Sequence, residues 1–239
     1  MRGMSLGFTR RVFVGGSASM IARGQNLSPA ASAADHLLLG VSDLDRGIAW
    51  VEQRTGIRPA MGGVHPGQGT RNALLSLGPR HYLEIIAPDP AQSAYNFNID
   101  VRGFAEPRLV NWAATTTDIE SVAARARKAG YALFGPLDGR RQTPSGKTLR
   151  WKRLGIVNKL GSGGVEPVPF FIQWAADSPH PSLDAPKGCE LGSLQFRHPD
   201  APALGAILKA IGIEGRISRA AAVRLVATIK TPKGDIELS

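Results

Sequence analysis

The fold is decided by the stretch Asp35-His36-Leu37-Leu38-Leu39-Gly40-Val41, which predicts an apolar strand opened by a histidine. A later stretch, His81-Tyr82-Leu83-Glu84-Ile85-Ile86, predicts a second strand with a glutamate inside it. A carboxylate buried in an apolar strand is costly unless it is paired or bound to a metal. Because imidazole and carboxylate groups are common metal ligands, His36 and Glu84 together suggest one divalent-metal site.

The residues between these two strands complete one β-α-β-β-β unit. A helix is predicted to start after Asp43, whose side chain suits an N-terminal cap, and to end near Gly56. Ile48 and Val51 recur at helical spacing within it. A glycine-rich loop and an alternating strand follow, so we predict a first module over residues 35–88.

The same pattern recurs twice further along the chain. A second module is predicted over residues 108–176, with a helix that starts after Asp118 and ends at Gly130. A third module is predicted over residues 188–239, and the proline-rich segments between modules predict connecting loops. The expected fold is α+β, with repeated β-α-β-β-β modules that form a half-open, barrel-like mixed sheet with flanking helices. An odd third module leaves either a half barrel or a contact surface for a homodimer.

This module pattern resembles the vicinal oxygen chelate superfamily, which includes glyoxalase I and the extradiol dioxygenases. Within that superfamily, the glyoxalase-like branch is the one that is similar in the segment Gly62-Gly63-Val64-His65-Pro66-Gly67-Gln68-Gly69-Thr70-Arg71-Asn72. The resemblance covers residues 35–176 well and the remainder loosely. It implies a glyoxalase-like domain over residues 35–176, in which the first and last strands of a module each supply one metal ligand.

The resemblance also implies a set of site residues. Glu84 is the expected catalytic base, and the ion is expected to be Fe, Mn, Ni, Zn or Co. Its expected ligands are His36, Glu84, Gln173 and Glu237. Gln173 is included if the first module pairs with the second, and Glu237 if it pairs with the third. The expected substrate-binding residues are His65, Arg71, Asn72, Asn111 and Trp151.

Two features of the sequence oppose a complete metal site. Asn111 stands where the family pattern has a second histidine or a glutamine. Strand alternation places Tyr82, Glu84 and Ile86 on one face, but it places Gln173 and Trp174 on opposite faces. A metal-free alternative therefore stays open.

In that alternative, His36 is a hydrogen-bonded histidine at a strand end, and Glu84 pairs with Arg71 or Arg80. The remaining histidines, His81, His180 and His198, each lie beside a turn or a proline. We expect surface or capping roles for them.

The amino terminus predicts an export signal over residues 1–34. This segment contains no acidic residue, and Thr9-Arg10-Arg11-Val12-Phe13-Val14 matches the twin-arginine pattern. Ala31-Ser32-Ala33 is a small-x-small cleavage site. We therefore expect export to the periplasm, with a cytoplasmic protein that carries a basic tail as the alternative.

Composition narrows the function further. A chain of 239 residues with 43% hydrophobic content can bury a substantial core, and its one cysteine forms no internal disulfide. No segment is apolar and long enough to predict a transmembrane helix. The net charge is +10, but no recognition motif for nucleic acid is present, so we expect no nucleic-acid partner. Much of the basic excess lies between residues 140 and 153, which either attract an anionic substrate or form a solvated hairpin.

The leading functional hypothesis is a metal-dependent lyase, isomerase or dioxygenase-like enzyme that acts on a small oxygenated organic molecule. The alternative is a non-catalytic protein of the same fold that binds or sequesters a small molecule.

Overall fold

The computed structural model describes Met1, residues 27–143 and residues 145–239, and the predicted twin-arginine motif lies outside these ranges. Within these ranges, four helices and a short 3₁₀ helix connect the strands. The helices are α1 (Ala30–Ala33), α2 (Leu44–Thr55), α3 (Ile119–Lys128) and α4 (Ala201–Ala210), and the 3₁₀ helix is Pro181–Leu183. The strands are β1 (Ser28–Pro29), β2 (Ala34–Gly40), β3 (Ala60–His65), β4 (Thr70–Ser76), β5 (Tyr82–Pro88), β6 (Arg108–Thr115), β7 (Leu133–Gln142), β8 (Thr148–Ile156), β9 (Phe170–Trp174), β10 (Glu190–His198), β11 (Ile213–Glu214), β12 (Arg216–Arg219), β13 (Arg224–Thr231) and β14 (Gly234–Leu238).

The first and second modules share one eight-stranded mixed sheet, in the order β3-β4-β5-β2-β6-β9-β8-β7. They meet where β2 runs antiparallel to β6, with Leu37 opposite Trp112. Within the modules, β2 is parallel to β5 and β6 is parallel to β9. The sheet curls into a half barrel, which confirms the predicted α+β architecture and shows that the first module pairs with the second.

Helices α2 and α3 begin and end where the sequence predicts. The Asp43 carboxylate accepts a hydrogen bond from a backbone N–H of the first turn of α2, and Asp118 does the same for Ser121 in α3. Gly56 ends α2 with φ of 80°, a left-handed conformation that glycine adopts without steric cost. Within the described residues, no helix is long and apolar enough to cross a membrane.

The third module forms a separate four-stranded sheet, in the order β12-β10-β13-β14. It packs on the outside of the half barrel, where the rings of Trp112 and Phe196 lie 5.7 Å apart and are at most 1% exposed. Trp112 faces away from its neighbour Asn111, which lines the inner face of the half barrel. The third module therefore covers the outer face and leaves the inner face to the first two modules.

The predicted export cleavage site lies in structured chain. Ala31, Ser32 and Ala33 belong to α1, and Ala30 and Ala33 pack into the main core. The preceding strand β1 pairs in parallel with β11. Residues 28–34 therefore contact the third module and form part of the folded protein.

Candidate active site

The half barrel encloses a cavity of about 840 Å³. Tyr82, Glu84 and Ile86 all line it from β5, as the predicted alternation requires. Strand β9 contributes Phe170, Ile172 and Trp174 from the opposite half of the sheet, and Asn96, Phe97 and Asn98 reach it from the loop between the modules. Both halves of the sheet therefore build one cavity.

Glu84 lies at the centre of a buried polar cluster in this cavity. Its Oε2 is 3.5 Å from His36 Nε2, its Oε1 is 3.3 Å from His65 Nε2, and Oε1 accepts a 2.7 Å hydrogen bond from Asn72 Nδ2. Burial by itself raises the pKa of Glu84, but the interactions with His65, His36, Asn72 and Arg141 outweigh it and lower the pKa. Glu84 is therefore an ionised carboxylate held between two imidazoles.

His36 is held in place from both sides. Its Nδ1 lies 2.8 Å from Asp35 Oδ1, and its ring stacks on Tyr82 with the centroids 4.5 Å apart. Because Asp35 accepts the Nδ1 proton, Nε2 is the nitrogen that faces Glu84. Burial and the nearby carboxylates of Asp35 and Glu84 raise the pKa of Tyr82 well above its ordinary value, so its hydroxyl stays protonated.

Asp35 is fully buried and contacts a second histidine. Its Oδ2 lies 3.2 Å from His180 Nε2 and accepts a 3.0 Å hydrogen bond from Trp174 Nε1. Burial raises the pKa of Asp35, but the hydrogen bonds from His180 and His36 outweigh it and hold the pKa below its usual range. Asp35 therefore links the cluster around Glu84 to the 3₁₀ helix, which His180 caps through Ser182.

His65 completes the contacts of Glu84. Its Nδ1 is 2.8 Å from Thr70 Oγ1, which leaves Nε2 directed toward Glu84 and Asn72. Burial lowers the pKa of His65, the Glu84 charge opposes this effect in part, and the Arg141 charge adds to it. The balance lowers the pKa of His65 below its ordinary value of 6.5.

Other predicted substrate-binding residues fall on both sides of the sheet. Asn111 and Trp151 line the cavity, and Trp151 packs edge-on against Trp174 at 5.5 Å. Arg71 does not line it, because β4 alternates and presents Thr70 and Asn72 to the cavity instead. The expectation that Arg71 contacts a ligand in this cavity is therefore corrected.

Two of the predicted metal ligands lie outside the cluster. Gln173 points to the other face of β9, where its Oε1 accepts a 2.8 Å hydrogen bond from the Ile119 backbone at the start of α3. Glu237 lies on β14 in the separate sheet, with a side chain that is 58% exposed and 3.9 Å from Arg197. One ion cannot bind both of these residues together with His36 and Glu84, because strand alternation and the separate third sheet keep them apart.

In the alternative without a metal, the predicted partners of Glu84 are corrected as well. Glu84 pairs with His36, His65 and Asn72, and neither Arg71 nor Arg80 contacts it in the described structure. Within the described ranges, no group of three or more His, Cys, Asp or Glu side chains is already arranged to hold a metal ion.

The donor types on the cavity floor nevertheless fit a divalent ion. His36 and His65 offer imidazole nitrogens, Glu84 offers a carboxylate, and Asp35 orients His36 in the way that supporting carboxylates orient metal-bound histidines. In the present geometry these donors contact one another. A bound ion would therefore exchange their mutual contacts for contacts with the metal.

Two histidines form buried contacts that the sequence pattern did not predict. His180 and His198 are each 4% exposed, although a surface position was one of the two roles expected for them. His180 contacts Asp35, and His198 Nε2 lies 2.9 Å from the Leu160 carbonyl oxygen. His180 caps the 3₁₀ helix as expected, but its bond to Asp35 spans 145 positions and no local signal reveals it.

Comparisons with known proteins agree with this architecture. A family model described as a glyoxalase-like domain matches residues 34–212. A hypothetical protein from Staphylococcus aureus is 18% identical, with a TM-score of 0.63 over 80% of this chain and 87% of that chain. No protein of curated function matches the chain.

Two methylmalonyl-CoA epimerases are also similar, at lower TM-scores. The Mycobacterium tuberculosis epimerase is 21% identical, with a TM-score of 0.39 over 70% of this chain and 97% of that one. A Streptomyces coelicolor epimerase in complex with 2-nitronate-propionyl-CoA is 21% identical, with a TM-score of 0.43 over 63% of this chain and 99% of that one. At such identities, similarity between structures speaks for the fold alone.

Proposed function

This chain belongs to the glyoxalase-like domain family of the vicinal oxygen chelate superfamily, and we propose that it is a metal-dependent enzyme that moves a carbon-bound proton in a small oxygenated molecule. The observation that carries the proposal is the Glu84 carboxylate, which lies on the floor of the cavity between the Nε2 atoms of His36 and His65. A lyase or an isomerase needs such a base within reach of its substrate.

Glu84 is the residue that takes the proton. It is ionised and lines the cavity, so a proton on a carbon next to a carbonyl group can transfer to Oε1 or Oε2. Asn72 holds Oε1 by donating a hydrogen bond to it, which limits the positions that the carboxylate adopts. His36 and His65 would hold the ion together with Glu84. A bound divalent ion supplies Lewis-acid polarisation of the substrate oxygens.

The cavity wall opposite Glu84 is lined by aromatic side chains. Phe170 packs edge-on against His36 at 5.6 Å, and Trp151 and Trp174 continue this wall toward β8. Apolar surface close to the base excludes water from the reacting carbon and strengthens electrostatic interactions in the site.

The second candidate function is binding without catalysis. It is favoured by the contacts of Glu84, whose Oε1 accepts a hydrogen bond from Asn72 and whose oxygens lie within 3.5 Å of His36 and His65 without a metal. In that case the cavity holds a small molecule, and the polar cluster serves recognition and stability.

The deciding experiment follows exchange of substrate C–H groups for deuterium by NMR, with small hydroxy- and oxo-carbonyl compounds in heavy water. We expect exchange by the wild-type protein loaded with Mn, Fe, Ni, Zn or Co, and a loss of about 10²- to 10⁴-fold in Glu84→Gln. Glu237→Gln is the matched control, because this glutamate is exposed in the separate sheet.

Elemental analysis of the same proteins tests the metal. We expect Glu84→Gln to bind less metal and Glu237→Gln to bind as much as the wild type. Ligand binding without exchange in any metal-loaded sample would establish the binding protein instead of the enzyme.

A further inference from the structure

Arg141 is a buried cation in the cavity wall. It lies on β7, is 8% exposed and lines the same cavity as Glu84. Its Nη1 donates a 2.6 Å hydrogen bond to the Gly62 carbonyl on β3. Among the described residues, no carboxylate forms an ion pair with its guanidinium.

Two exposed cations on the same hairpin have carboxylate partners, which Arg141 lacks in the described part of the chain. Arg150 pairs with Asp177, and Lys152 Nζ lies 3.2 Å from Asp138 Oδ1. Exposed ion pairs contribute little to stability, whereas a buried charge without a counter-ion is strongly destabilising. The hairpin therefore places carboxylates beside the exposed Arg150 and Lys152 and none beside the buried Arg141, within the described residues.

The bond to Gly62 does not account for the positive charge. It joins the two edge strands of the half barrel, β3 and β7, and it uses one of the five N–H groups of the guanidinium. A neutral donor such as glutamine can satisfy a carbonyl oxygen equally well. Glu84 attracts this charge across the cavity but forms no ion pair with it in the described structure, so the remaining N–H groups of the guanidinium can bind an anion from outside the chain.

We infer that Arg141 forms an anion subsite that binds the carboxylate of a small monocarboxylate, which is the substrate class of the enzyme if the proposed function holds. A planar guanidinium matches a carboxylate with two parallel hydrogen bonds. One guanidinium balances one negative charge, and the Glu84 carboxylate in the same cavity disfavours a dianion such as a phosphate monoester. The wall of Phe170, Trp151 and Trp174 offers contact for an apolar body.

Isothermal titration calorimetry with two matched pairs of probes tests the subsite: benzoate against benzamide, and propionate against propionamide. The wild-type protein is expected to bind each carboxylate at least about tenfold more tightly than its amide. Arg141→Gln is expected to remove this preference. Arg150→Gln, which removes one positive charge from the same hairpin outside the main cavity, is expected to keep it.

Equal binding of carboxylate and amide by the wild type, no binding of either, or an unchanged preference in Arg141→Gln would overturn the subsite. If Arg141→Gln does not fold, Arg141→Lys replaces it. This variant keeps the charge and loses the planar fork, so it is expected to keep a reduced preference.

The binding assay requires no turnover, so the subsite and the proposed function fail separately. Glu84→Gln is expected to retain the carboxylate preference while it loses deuterium exchange. A wild-type protein with the preference and no exchange would keep the subsite and reject the enzyme. Exchange without the preference would keep the enzyme and reject the subsite.

Discussion

The two halves of the eight-stranded sheet have the same backbone plan and different chemistry. Each half contributes four strands, and each strand presents at least one side chain to the cavity. From the first module these include His36, His65, Asn72 and Glu84. From the second module they include Asn111, Arg141, Trp151 and Trp174. The first half therefore holds the polar cluster around Glu84, whereas the second half supplies an aromatic wall and a cation.

This difference shows that the backbone sets positions and the side chains at those positions set the chemistry. Leu38 on β2 lies opposite Glu84 on the neighbouring strand β5 and opposite Asn111 on the other neighbour, β6. Glu84 and Asn111 therefore occupy the same row of the sheet. Only Glu84 lies between two imidazoles. Repetition of a module therefore predicts where site residues lie but not what each half does.

The largest effect is expected where the two halves are bonded through Asp35. In Asp35→Asn, a neutral amide faces His36, His180 and Trp174, and the buried hydrogen-bond network around an ionised carboxylate is broken. We expect the free energy of unfolding to fall by about 3–5 kcal/mol, measured by urea denaturation. The matched control is Asp138→Asn, whose carboxylate is 84% exposed and should change stability by less than about 1 kcal/mol. A small effect in Asp35→Asn would mean that the pairing of β2 with β6 and apolar packing hold the halves together without this carboxylate.

Acid should weaken the same connection. The pKa of Asp35 is lower in the folded protein than its ordinary value of 3.8, so the folded state favours the carboxylate. Its contribution is fully present above the unfolded pKa and is lost as pH falls through the folded pKa. The stability difference between wild type and Asp35→Asn should therefore shrink when urea titrations are repeated from about pH 7 down to about pH 3. A difference that is constant over this range would contradict the proposed ionisation.

The smallest effect is expected at Gln173, on the outer face of the second half. Its side chain accepts the Ile119 N–H at the start of α3, so Gln173→Ala should cost about 1 kcal/mol of stability. Metal content should not change, because this side chain does not face Glu84. Loss of metal in Gln173→Ala at unchanged stability would show that Gln173 is a metal ligand. Both halves of the sheet would then supply ligands to the ion.

Local parts of the fold and site could be predicted from the sequence. Asp43 and Gly56 act on backbone groups within one helical turn of each end of α2. These two residues therefore predicted the limits of the helix correctly. The alternation of Tyr82, Glu84 and Ile86 likewise depends only on strand geometry. The prediction that Glu84 needs a partner was sound, but the partners Arg71 and Arg80 were wrong because alternation and curvature turn other residues toward it.

Contacts between segments that are far apart in the sequence could not be predicted from it. The bond between Asp35 and His180 spans 145 positions, and the one between Trp174 and Asp35 spans 139. His180 lies in a proline-rich segment that predicts only a linker. Likewise, the loop between the first two modules lines the cavity with Asn96 and Phe97, although its sequence has no periodicity.

By itself, the sequence determined the modules, the helix caps, the inward positions of the strands and the presence of one buried carboxylate, because these depend on neighbours within a few residues. Tertiary structure alone decided that His36 and His65 flank Glu84, that Asp35 joins the two halves, and that Arg141 is buried in the cavity wall. The physical reason is the curl of the sheet. It brings strands that are far apart in sequence around one cavity, and burial there sets the pKa and the partners of each charged group.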